Sequence, residues 1–292
     1  MVTLPDTIRN TTAMKITEAT KELIKYGSIL AGNTAGAALA ISNEDPLIQI
    51  SGTAIGGILP EILNDFARRF LSTREKIKVA AVIHFATEGI VKNINSGKQT
   101  NNDFLNMIEE GKRTSAEELY EGILIKAKNE FQEKKIKHVG AIFANCIFTK
   151  DVTPEDVNHL LSAVEKLTYR KLRIIALYGK KEYIFPERNI MKDPYIWYDN
   201  ISFSLSTRAV LQDIFELGNF GIIDFQRLHV TDHLSLTPER FQLTDLGEQY
   251  FELMGLDEIS PQEMEPEIDA IEYKAYYGKN IYGQINCGLP NE

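Results

Sequence analysis

His84 and Glu88 stand one helical turn apart, the spacing at which two side chains on one face can share an ion or a hydrogen bond. With no third ligand nearby in sequence, the expectation is a structural hydrogen bond. Asp224, His229, Asp232 and His233 form a second cluster, and His229 and His233 could share a metal if that stretch were helical. The residues around it read instead as strand, loop and strand, which leaves a solvated polar loop. Cys146 lies in the apolar run VGAIFANCIF, where a thiol is expected to be buried and inert. The GTAIGG run from Gly52 has phosphate-loop glycines but lacks the Lys and Ser/Thr of such loops. The chain contains no Walker loop, no strand-to-helix GxGxxG and no nucleophile-elbow serine. No catalytic, cofactor or metal residue is therefore assigned, and the chain is expected not to be an enzyme.

Charge gives a second class of candidate. The whole chain carries a formal charge of −9 with a pI near 5.2, against the requirement of a protein that coats nucleic acid. Between residues 166 and 192, however, cations outnumber Glu182 and Glu187, and Arg170, Lys171, Arg173, Lys180 and Lys181 mark a local basic surface. Its partner could be a phosphate backbone, or the acids between Asp245 and Glu272, a stretch without a Lys or Arg. The helix expected after Ser206 carries Arg208, Asp213 and Glu216, charges that suit a phosphate-lined groove poorly. Nucleic acid is thus disfavoured, and protein contact is expected.

Residues 26–60 hold only two charged side chains, Glu44 and Asp45. Gly32 and Gly36 on one arm, with Gly52 and Gly56 on the other, approximate small-residue helix faces that permit close backbone approach in a protein core or in lipid. Each arm offers about 15–18 uncharged residues, short of the ~20 that cross a ~30 Å hydrocarbon layer. Two readings stay open: a helical hairpin that contacts protein or a second copy, and a hairpin that enters a membrane after a conformational change.

The elements that must position these groups are mainly helical. Ser72 with Glu75 has capping-box spacing and starts a helix ending near Gly97; Ser115 with Glu118 repeats the signal ahead of one long helix reaching Cys146, although VGAIFANCIF alone could be a strand. Thr153-Pro154-Glu155-Asp156 is a helix start with Thr153 as N-cap. LTYRKLRIIALYG and STRAVLQDIFELG read as helices that stop at Gly179 and Gly218. A short β-hairpin is expected from Gly221–Phe225 and Arg240–Leu243. Three regions follow: a helical domain over residues 1–150, a second domain over 151–256, and an acidic, partly flexible tail over 257–292. Two distant cysteines and the lack of a basic n-region followed by an apolar h-region fit a reducing cytoplasm.

The order helix, strand, loop, strand, helix over about residues 165–255, with Leu243-Thr244-Asp245-Leu246-Gly247 after the loop, resembles the back half of a winged-helix domain. STREKIKVAAV, SAEELYEGILIKAKNEFQEKKIKHVGAIFAN and LTYRKLRIIALY resemble uncharacterised bacterial proteins with a small-residue-rich helical N-terminus and a C-terminal winged helix, some of them beside antiphage defence genes. That resemblance implies a defence or stress-response context and no site residue. The sequence expectation is a non-enzymatic interaction or oligomerisation protein; a membrane-permeabilising effector and a winged-helix DNA-binding regulator are the alternatives.

Overall fold

The computed structural model describes Ile62, Asp65, Phe66, Arg68, Arg69 and residues 71–106, 113–150, 152–191, 204–226 and 236–272. Gly32, Gly36, Gly52 and Gly56, the loop residues His229, Asp232 and His233, and Cys287 lie outside the described residues. Contacts divide the chain into two compact units, residues 1–166 and 167–292, a division that follows the helix begun at Pro154.

In the first unit the described helices are α1 (Thr73–Asn95), α2 (Asn102–Asn106), α3 (Ser115–Asn129), α4 (Lys135–Cys146) and α5 (Pro154–Lys166). The capping box at α1 forms as expected: Glu75 N–H donates to Ser72 Oγ at 3.3 Å, and Ser72 N–H donates back to the Glu75 carboxylate at 2.7 Å. At α3 the box lies one residue earlier than expected, with Thr114 and Glu117 as its members.

The expected long helix to Cys146 is two helices. No Gly or Pro separates them. Glu130 instead adopts extended backbone, and its carboxylate accepts the Gln132 N–H at 2.8 Å, so a side chain takes the place of the helical carbonyl. The run VGAIFANC is helical within α4. α5 begins as its sequence indicates, with Asp156 N–H donating to Thr153 Oγ1 at 3.2 Å.

α1 and α4 pack with small residues at their contact. A Cβ on Gly140 would stand 3.0 Å from Ala86 N, Val82 O and Phe85 Cβ, and one on Gly89 would meet Ala144 Cβ at 2.6 Å. Val79, Val82, Ile83 and Ile90 on α1, and Ile136, Val139, Ile142 and Phe143 on α4, are buried around this contact. Each such side chain contributes about 1.5–3 kcal/mol of burial. Tyr120 of α3 packs on Phe143 with ring centroids 4.8 Å apart. α5 joins the same body, since Leu161 sits against Gly122 and Lys135 Nζ donates to Val164 O at 2.9 Å.

The second unit contains α6 (Tyr169–Gly179), α7 (Lys181–Ile184), α8 (Leu205–Asn219), β1 (Ile223–Asp224), β2 (Gln242–Leu243), α9 (Asp245–Leu253) and α10 (Pro261–Ile271). β1 and β2 pair antiparallel, Ile223 opposite Leu243 and Asp224 opposite Gln242, within the expected hairpin segments. The chain is mainly α-helical with this two-stranded sheet. Gly221, at φ 72°, turns the chain out of α8 towards β1. Gly247 admits the Ile222 carbonyl, which a Cβ there would strike, and Thr244 Oγ1 accepts the Gly247 N–H at 3.0 Å to start α9.

α10 lies inside the stretch read as an acidic, partly flexible tail. Ser260 caps it, Pro261 occupies its first turn, and Met264, Ile268 and Ile271 are buried at intervals of four and three. The acids between them hide this stripe from a reading based on composition.

Candidate interaction surfaces

The basic residues singled out in the sequence gather on and just after α6, and each meets a partner within the second unit. Arg170 Nε donates to Asp213 Oδ2 at 2.5 Å, and Lys171 Nζ donates to Glu216 Oε2 at 2.5 Å, both acceptors on α8. Arg173 reaches α10, its Nη2 on Glu267 Oε1 at 2.7 Å and its Nη1 on the Glu263 carbonyl at 3.0 Å. Tyr169 OH donates to Glu263 Oε2 at 2.6 Å. Lys180 Nζ donates to the carbonyls of Asp257 and Ile259, each at 2.6 Å, and Lys181 Nζ to that of Phe241 at 2.8 Å. Arg188 makes a two-oxygen contact with Glu265, at 2.8 and 2.9 Å.

Sequence offered Arg170, Lys171, Arg173, Lys180 and Lys181 as a local basic surface, with a phosphate backbone or the acidic stretch 245–272 as its partner. Arg173 and Lys180 meet groups of that stretch, Lys181 meets the Phe241 carbonyl, and Arg170 and Lys171 meet Asp213 and Glu216 of α8, which the sequence did not pair with them. α6 is one side of a charge ladder whose other side is Asp213 and Glu216 on α8 and Glu263 and Glu267 on α10. The hydrogen bond from Lys171 holds the Glu216 carboxyl below its ordinary value, whereas burial pushes that of Glu267 up. Lys180 and Lys181 are lowered by burial. Nothing in residue spacing pairs α6 with Asp213 some forty positions on, so α8's part in this ladder was not legible beforehand.

In the first unit, the corner between α3 and α4 holds a buried ion pair, Lys135 Nζ to Glu130 Oε2 at 2.6 Å, with side chains 3% and 7% exposed. Beside it Phe131 exposes 83% of its surface. The near-heptad spacing of Tyr120, Leu124, Ala127 and Phe131 places Phe131 on the packed face of one long helix; the helix ends at Asn129, and the break at Glu130 turns the ring outward instead.

The chemical candidates resolve differently. His84 Nε2 is 3.9 Å from Glu88 Oε2 and makes no hydrogen bond, so the expected structural hydrogen bond is absent. Cys146 is fully buried, and burial pushes its thiol up to about 12. Asp224 Oδ1 accepts the Gln226 N–H at 2.8 Å in a turn. Among the described residues no group of three His, Cys, Asp or Glu side chains converges on a metal position, and no helix is long and apolar enough to cross a membrane. Comparison with protein-family models, curated proteins and solved structures finds no match to this chain.

Proposed function

We propose that the chain is a non-enzymatic contact protein that acts by binding another protein or further copies of itself, with the second unit a winged-helix-like docking module. The observation that carries this reading is the charge ladder: α6 directs Arg170, Lys171 and Arg173 at acids of α8 and α10, so the strongest basic run of the sequence is engaged inside the unit. A winged helix that reads DNA needs cations free to meet phosphate on and around its recognition helix. α8 holds that place in the order of elements, and two of its three charged residues are acids bound to α6. The helix order, the antiparallel pair and the Thr244–Gly247 turn support the winged-helix likeness. The resemblance to defence-associated bacterial proteins supports an antiphage or stress-response setting.

A titration of labelled duplex DNA with the purified protein at low salt tests the choice between protein and nucleic acid. The contact reading expects no saturable rise in anisotropy. Saturable binding that weakens steeply with salt returns the function to DNA binding.

A further inference from the structure

We draw no further inference here: the strongest candidate, the exposed Phe131 ring at the α3–α4 corner, carries nothing, because the cations beside it, Arg74, Lys78 and Lys128, are engaged within the first unit and nothing in the structure shows what covers the ring.

Discussion

Arg173 on α6 donates to Glu267 on α10 across 2.7 Å, and only 2% of the Glu267 side chain is exposed. The pair ties the acid-rich α10 to the basic helix from which it is separated in sequence by most of the second unit. Removing the cation leaves a carboxylate enclosed by protein. Arg173→Met should therefore destabilise the second unit by about 3 kcal/mol, the low end for a broken buried pair because Arg173 keeps partial exposure. Urea denaturation followed by circular dichroism measures it, and a change below 1 kcal/mol, an order-of-magnitude threshold set by exposed pairs at about that value, would remove the pair from the account.

The same carboxylate predicts a pH dependence of defined sign. Burial raises the Glu267 pKa in the folded chain above its unfolded value. Its contribution to stability is therefore complete below the ordinary carboxylate range and lost as pH rises through the elevated value. Glu216 and Glu121, held low by Lys171 and by Arg113, act in the opposite direction and lose their contribution as pH falls. Compared with Glu267→Gln, the parent chain should gain relative stability on acidification from neutral pH. A stability difference that stays constant across that range would contradict the assignment.

The contact between α1 and α4 depends on a missing side chain. Gly140→Val would force atoms against the α1 backbone at Ala86 N and Val82 O, where even a Cβ finds only 3.0 Å. The expected loss is about 1–3 kcal/mol, as for overpacking elsewhere. Thermal unfolding reads it, and a variant as stable as the parent would mean that the helices separate at no cost.

Cys146 should be unreactive in the folded protein. With its thiol buried and pushed up to about 12, little thiolate exists at neutral pH. Iodoacetamide treatment with peptide mapping should label Cys146 only after denaturant is added. Rapid labelling of this residue under native conditions would show that the α4 end opens readily.

Local signals were the legible part of this fold. Ser72 with Glu75 and Thr153 with Asp156 announce helix starts through side chains three residues apart. The paired segments around Ile223 and Leu243 were visible from β-branched residues and a turn. What escaped depends on contacts distant in sequence. The break at Glu130 requires Lys135 and Lys78 to converge on it, and no breaker residue announces it. The pairing of Arg170 with Asp213 follows from how α8 packs on α6. α10 was obscured because its acids, which lower mean hydropathy, are the groups that meet Arg173 and Arg188.

Sedimentation velocity of the purified chain over a wide concentration range tests the contact reading most directly. The expected result is a species heavier than the 33.0 kDa monomer that grows with concentration, or a stable complex with a protein recovered from cells and reconstituted from purified components. A monomer at every accessible concentration, with no such complex, would contradict it.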